Sequence, residues 1–104
     1  MRAQTKPGQR DAFIEAMKQR GTAGNNPGFL SAEIAYEDKD SDRVVAVIHF
    51  RDRAGYMANA ERPQTDSEYR EMLQYLVGPP EWTDLHYVAY RGEPLTEAAL
   101  AGSA

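Results

Sequence analysis

Two histidines and no cysteine limit the side-chain chemistry that this chain of 104 residues can perform. Histidine changes its charge near neutral pH, so His86 is a candidate general acid or base. We expect it to share one face of a strand with Trp82 and Asp84, because side chains alternate along a strand. A strand histidine that is hydrogen-bonded to a neighbouring strand or a partner subunit is the more common arrangement, and it stays open here.

The remaining reactive groups point away from metal and thiol chemistry. Without cysteine there is no disulfide, no thiolate and no cysteine-ligated metal. A transition-metal site would need both histidines together with carboxylates, and their spacing does not suggest one, so we predict no metal site. His49 lies on the same face of its strand as Val45 and Val47, because side chains two residues apart share a face. This placement favours an interface between two sheets. Asp52 and Glu68 are better explained as helix caps than as catalysts.

The composition is that of one globular domain. Apolar residues make up 41% and charged residues 27% of the chain, which is ordinary for such a domain. The formal net charge of −4 offers no basic face for phosphates, which argues against a nucleic-acid partner. No long apolar run or signal-like start is visible, so neither a membrane nor secretion is indicated, and we expect a cytoplasmic protein.

The predicted elements follow the order strand, helix, strand, strand, helix, strand, with a short extra helix before the last helix. They are a short strand over 1–5, a helix over 9–20, a hairpin of strands over 29–36 and 44–50, a short helix over 53–60, a helix opened by a Thr65-x-x-Glu68 capping box, and a strand over 82–91. This order indicates an α+β, ferredoxin-like βαββαβ domain over 1–92, with its helices on one face of an antiparallel sheet.

Residues 93–104 form a tail with a short helix. The first strand looks like the end of a longer one, so we expect the native start to lie upstream of Met1.

The strand over 44–50 is apolar on both faces, so both faces need cover. The helices cover one face, and the other face carries Val45 and Val47. Because an exposed apolar sheet face is a typical association surface, the sequence predicts a homodimer whose two sheets pack face to face.

Four motifs carry a family resemblance over residues 5–91. They are Lys6-Pro7-Gly8 before the first helix, P-G-F-L-S over 27–31 into the second strand, the apolar strand over 44–50 followed by Asp52, and Gly78-Pro79-Pro80 before the last strand. In these motifs the chain resembles the antibiotic biosynthesis monooxygenase family, whose members form dimeric α/β barrels. The resemblance implies that fold and a substrate pocket between helices and sheet in each subunit. Characterised members oxidise polycyclic aromatic phenols, such as polyketide anthrones, to quinones with O₂ and without flavin, haem or metal.

The resemblance also suggests roles for individual residues. Tyr56 and Arg70 stand where quinone-forming members have a pocket tyrosine and arginine. Tyr56 would hydrogen-bond the substrate oxygen, Arg70 would stabilise a phenolate or peroxide, and His86 would be the base. The alternatives are core packing for Tyr56 and an Asp66–Arg70 ion pair on a solvated helix face. We expect the substrate to contact four apolar or aromatic side chains: Phe50, Tyr69, Met72 and Trp82.

Two departures from the family pattern concern hydrogen-bond donors. Phe50 replaces a pocket tryptophan of quinone-forming members, and Ala46 replaces an asparagine. A haem-degrading branch of the family has the same fold, but its helix tryptophan and its haem-ligand histidine have no counterpart here. Asn59 stands near the tryptophan position, and Glu68 stands near the histidine position.

The predicted function is therefore a cofactor-independent monooxygenase that oxidises a polyketide-like phenol to a quinone. The alternatives are a polyketide cyclase or isomerase on this fold, and a non-catalytic ligand-binding or stress-response dimer.

Overall fold

A computed structural model describes the backbone of residues 1–21, 28–60 and 63–101 and the side chains of 1–19, 28–58 and 67–100. Its elements are β1 (Arg2–Gln4), α1 (Arg10–Gly21), β2 (Phe29–Tyr36), β3 (Arg43–Phe50), α2 (Arg53–Ala60), α3 (Pro63–Leu73) and α4 (Glu97–Ala101). The predicted α+β class is confirmed. None of the described helices has the length and apolar character needed to span a membrane.

The sheet is antiparallel, with three strands in the order β1-β3-β2. Strand β3 is central, and its register pairs Val44 with Ala3 on one side and with Tyr36 on the other. Because side chains alternate along a strand, Val44 and Ala46 point to the helices and are buried. Val45 and Val47 point to the opposite face of the sheet and are half-buried.

The core lies between the helices and one face of the sheet. Phe13 of α1, Met72 of α3 and Leu76 beyond α3 are buried against Ala3 and Val44. Each of the two long helices thus packs an apolar face against the sheet. Buried Thr5 donates a hydrogen bond of 2.7 Å from its hydroxyl to the carbonyl of Asp42, so its polar group is satisfied within the core.

The start of α2 agrees with the sequence prediction, and the start of α3 does not. The Oδ1 atom of Asp52 accepts a hydrogen bond of 2.7 Å from the backbone N–H of Gly55, which confirms Asp52 as the N-cap of α2. Helix α3 begins at Pro63, so Thr65 lies inside the helix and the predicted capping box is wrong. Proline lacks an N–H and has its φ preset for a helix, which suits it to the first helical position.

The strand predicted over 82–91 does not form. Glu81 and Arg2 exchange backbone hydrogen bonds of 2.8 and 2.9 Å, but no ladder continues beyond this single bridge among the described residues. We call residues 81–91 the C-terminal arm. All its side chains are exposed, and Val88 is 95% exposed.

Two glycines fix the distance between the start of β2 and the first turn of α2. Gly28 has a φ of +70°, and a Cβ built there would lie 2.9 Å from the Cα of Gly55. A side chain at Gly28 would therefore be strained by its φ and would also collide with the α2 backbone. Since Tyr56 follows Gly55, this approach sets where the Tyr56 ring can lie.

Gly28→Ala should destabilise the protein more than Gly8→Ala does. Gly8 also has a positive φ, +79°, but a Cβ there would meet nothing within 4 Å. We expect Gly8→Ala to lower the free energy of unfolding by about 1 kcal/mol from backbone strain alone, and Gly28→Ala by about 2–4 kcal/mol because overpacking adds to the strain. Denaturant unfolding monitored by circular dichroism measures both. Equal losses would show that α2 can move away from Gly28 without cost.

Candidate functional site

A cavity of about 750 Å³ lies between the second half of β3, helices α2 and α3, and the C-terminal arm. Its volume is in the range of small-molecule sites. Six of the seven predicted site residues line it: Phe50, Tyr56, Tyr69, Met72, Trp82 and His86. They come from β3, both helices and the arm, so the fold brings together side chains that are distant in sequence.

One wall of the cavity is aromatic. Phe50, the last residue of β3, packs edge-to-face on Phe29 of β2, with ring centroids 6.2 Å apart. On its other side the Phe50 ring meets Tyr56 of α2 at 5.4 Å and an interplanar angle of 78°. Such T-shaped contacts suit the quadrupoles of aromatic rings. The wall is therefore held by mutual ring contacts and offers an apolar surface to a ligand.

The sheet contributes no side-chain hydrogen-bond donor at the two positions where family members carry one. Ala46 and Phe50 both line the cavity, and both are apolar. The helix side adds Tyr69, half-buried, and Met72, which is 2% exposed. Polar side chains that can bind or deprotonate a ligand are supplied instead by β1, the two helices, the segment between β3 and α2, and the arm.

The hydroxyl of Tyr56 donates a hydrogen bond of 2.8 Å to Oδ1 of Asp84. This bond is the main reason why the pKa of Tyr56 is raised above its usual value; burial and the negative charge of Asp84 act in the same direction, and Arg53 opposes them. The bond joins α2 to the C-terminal arm across the cavity. Sequence reasoning did not select Asp84, and its only signal was the alternation that it shares with Trp82 and His86.

Charged groups of both signs surround the apolar surfaces. The cationic residues that line the cavity are Met1, through its N-terminal ammonium, and Arg2, Arg51 and Arg53; the carboxylates are Asp52, Glu68, Glu81 and Asp84. Neither sign dominates, so the rim does not select strongly for an anion or a cation by long-range attraction. Short-range hydrogen bonds must then decide which polar group a ligand can place here.

Arg70 lies elsewhere. Its side chain is exposed on α3, and it is not among the described residues that line the cavity. The role predicted for it as an anion stabiliser has no support from this placement. The alternative, an Asp66–Arg70 pair, involves a side chain outside the described residues.

His49 occupies the sheet face opposite the helices. The Tyr87 ring of the arm stacks on it, with centroids 4.8 Å apart at 22°. Its Nε2 atom lies 3.8 Å from Oε1 of Glu33, which is too long for a hydrogen bond. Within the described part of the chain, no group of three or more His, Asp or Glu side chains is arranged to hold a metal ion.

Known proteins share this fold. A structure from Chloroflexus aurantiacus J-10-fl, provisionally named an antibiotic biosynthesis monooxygenase, superposes with a TM-score of 0.70 at 23% identity, covering 88% of this chain and 91% of that one. A protein of the same provisional name from Nitrosomonas europaea gives a TM-score of 0.64 at 20% identity, covering 77% and 78%. A conserved protein from Methanosarcina mazei Go1 gives 0.63 at 13% identity, covering 77% and 80%.

These similarities, all below 25% identity, show the fold alone. The comparison with curated proteins gave no match. The family model described as "Antibiotic biosynthesis monooxygenase" matches residues 1–65, which is more than half of the chain. The matched region runs from β1 through β3 and α2 and includes the three residues of the aromatic wall, Phe29, Phe50 and Tyr56. On this evidence the chain belongs to the antibiotic biosynthesis monooxygenase family.

Proposed function

We propose that the protein is a monooxygenase that oxidises an aromatic, polyketide-like phenol to a quinone with O₂ and without a cofactor. The observation that carries the proposal is the aromatic-walled cavity of about 750 Å³, which is large enough for a fused-ring ligand. The polar groups of Tyr56, Asp84 and His86 are grouped on α2 and the arm, so a ligand oxygen has polar partners on one side.

The reaction balances without an external reductant. With 1-naphthol as the example, one oxygen atom of O₂ becomes the second quinone carbonyl and the other leaves as water. The water takes the phenolic hydrogen and the hydrogen of the oxidised ring carbon. The phenol supplies the electrons, so the protein has to hold the ring, exclude water and accept a proton.

The chemistry assigns tasks to the lining residues. Ground-state O₂ is a triplet and reacts slowly with neutral phenols, whereas an electron-rich phenolate can transfer one electron to it. In the proposal the ring lies against Phe50 and Met72, with Trp82 and Tyr69 completing the enclosure. The Tyr56 hydroxyl contacts the substrate oxygen. In the proposal the phenolic proton passes to His86 or, through Tyr56, to the Asp84 carboxylate, and all three residues line the cavity.

A cyclase or isomerase is the second candidate, and a specific observation favours it. Ala46 and Phe50 place no side-chain donor at their two positions on β3. The acid–base groups Tyr56, Asp84 and His86 lie on α2 and the arm. Proton transfer alone suffices for an aldol cyclisation or an isomerisation. Such an enzyme would bind the same aromatic precursors but would not consume O₂.

Oxygen uptake with a panel of anthrones and naphthols tests the monooxygenase proposal. We expect uptake equimolar with quinone formation, and we expect Tyr56→Phe to lower kcat/KM about tenfold because one hydrogen bond to the reacting oxygen is lost. Tyr36→Phe is the matched control, since Tyr36 packs under Arg10 and does not line the cavity. If a phenol binds and no O₂ is consumed, the monooxygenase proposal is wrong.

We also propose that the working form is a homodimer. Five large apolar side chains of the C-terminal arm are each more than half exposed: Trp82, Leu85, Tyr87, Val88 and Tyr90. The sheet face on which Tyr87 lies carries Val45 and Val47. A second copy would cover both surfaces by packing its own sheet and arm against them, and exposed apolar groups of this extent are typical of such interfaces.

Val88→Glu should weaken the dimer. A carboxylate at the most exposed apolar position of the arm would be desolvated in the interface, so we expect the dimer dissociation constant to rise by about tenfold or more. Met57→Glu, on the exposed side of α2, is the control and should leave association unchanged. Light scattering and sedimentation across micromolar concentrations measure both variants. A wild-type chain that stays monomeric over this range would contradict the dimer.

A further inference from the structure

The hydrogen bond from Tyr56 to Asp84 determines what the Tyr56 hydroxyl can offer to a ligand. A phenolic hydroxyl has one hydrogen and can otherwise only accept hydrogen bonds. In this structure that hydrogen is directed at Oδ1 of Asp84, 2.8 Å away. The Tyr56 oxygen, which lines the cavity, is therefore left with its lone pairs for a ligand.

Charge strengthens this orientation. A hydrogen bond to an ionised carboxylate is stronger than one between neutral groups, so Asp84 competes well for the Tyr56 hydrogen. The raised pKa of Tyr56 has the same physical origin, because the neutral phenol donates the bond and the phenolate could not. Among the described residues, seven further acidic, basic or histidine side chains line the cavity around Tyr56 and Asp84: Arg53 and Asp52 at the start of α2, Arg51 before it, Glu68 on α3, Arg2 on β1, and Glu81 and His86 on the arm. Of these, Arg53 acts on Tyr56 against Asp84.

We propose that Asp84 is a specificity-determining residue: by holding the Tyr56 hydrogen, it makes the site accept a neutral hydroxyl and reject an anion of the same shape. The inference rests on the proposed function, since it takes an aromatic ligand in this cavity as given. A neutral phenol can donate its O–H to the Tyr56 oxygen. A carboxylate or a preformed phenolate would meet lone pairs there, with the Asp84 charge behind them.

The substrate class follows from this selection. It comprises neutral fused-ring phenols and hydroquinones, and it excludes aromatic acids. The substrate enters with its proton in place, and deprotonation happens only after binding. If the proton leaves through Tyr56, the phenolic hydrogen moves to the Tyr56 oxygen while the Tyr56 hydrogen moves to Asp84. One negative charge then passes from Asp84 to the substrate, and Tyr56 becomes a donor to the phenolate it helped to form.

A binding experiment with two ligands of similar shape tests the selection. The probes are 2-naphthol and 2-naphthoate, with dissociation constants measured at pH 7 by fluorescence titration or calorimetry. We expect wild type to prefer 2-naphthol, and Asp84→Ala to shift the ratio of the two constants toward naphthoate by about tenfold, because the Tyr56 hydroxyl can then donate to the carboxylate. Asp38→Ala removes the same charge in the β2–β3 turn, outside the cavity, and should not change the ratio.

The double variant shows whether Asp84 acts through Tyr56. In a Tyr56→Phe background there is no hydroxyl to orient, so Asp84→Ala should no longer shift the ratio. If the shift persists in that background, Asp84 acts by charge alone and the proposal is wrong. If Asp84→Ala changes nothing in the wild-type background, the proposal is equally wrong.

A ligand-free measurement tests the hydrogen bond itself. We expect NMR titration of the tyrosine ring carbons to give Tyr56 a pKa above its usual value, and to give a lower pKa in Asp84→Ala, where the main cause of the shift is removed. The Tyr56→Phe spectrum assigns the signal. Identical titration in wild type and Asp84→Ala would show that the bond does not persist in solution, and the proposal would fall.

The two proposals fail in different ways. If neither naphthalene binds wild type, the aromatic substrate class is wrong and the selection by Asp84 falls with it. If the ratio shifts as expected but no phenol supports oxygen uptake, the monooxygenase reaction is wrong and the selection by Asp84 stands as a property of a binding or isomerase site.

Discussion

The edge of β3 beyond Ala46 is the constraint on which the site depends, because β2 is the one ladder partner of β3 there among the described residues. Met1 and Ala46 exchange backbone hydrogen bonds of 2.9 Å in both directions. Strand β3 continues for four more residues with β2 alone as its ladder partner. In an antiparallel ladder the backbone hydrogen bonds to one neighbouring strand recur at every second residue. The backbone N–H and C=O groups of Ile48 and Phe50 therefore point to the same side of β3 as those of Ala46, where β1 no longer pairs with them. The cavity occupies the space beside this edge, and the C-terminal arm forms its far side.

The C-terminal arm lies beside this edge and is held by few backbone contacts. After the bridge between Glu81 and Arg2, the arm has no backbone ladder within the described chain. Side chains hold it instead: Asp84 accepts from Tyr56 on the helix side, and Tyr87 stacks on His49 on the opposite face of the sheet. A segment with exposed side chains and few backbone hydrogen bonds belongs to the least stable part of a fold. Recognition of a ligand by Tyr56 is therefore coupled to the position of the arm through one hydrogen bond.

The sequence predicted the parts of the fold that depend on local pattern. Strand β2 and helix α2 were located to the residue and β3 to within one residue, because alternation, turn residues and an N-cap act over a few positions. The strand over 82–91 has the right alternation, but a strand also needs a neighbour, and among the described residues the arm pairs with β1 only at the bridge between Glu81 and Arg2. Six of the residues selected by type and resemblance line the cavity. Asp84 was not selected, because its hydrogen bond depends on Tyr56, 28 residues away. Arg70 was selected by resemblance, and the structure exposes its side chain on α3.

The distribution of polar groups bears on the chemistry more than their number does. The resemblance leads one to expect donors on the sheet, but Ala46 and Phe50 leave that side of the cavity apolar. The start of α2 and the arm supply Tyr56, Asp84 and His86, so in the proposed function a bound ring has its reactive oxygen at the arm side and its hydrocarbon against β3. Because Tyr56 is already bonded to Asp84, its oxygen can receive a hydrogen bond from a ligand rather than donate one. Substrate deprotonation, whatever reaction follows, would then begin at the arm, the element that the proposed second copy also covers.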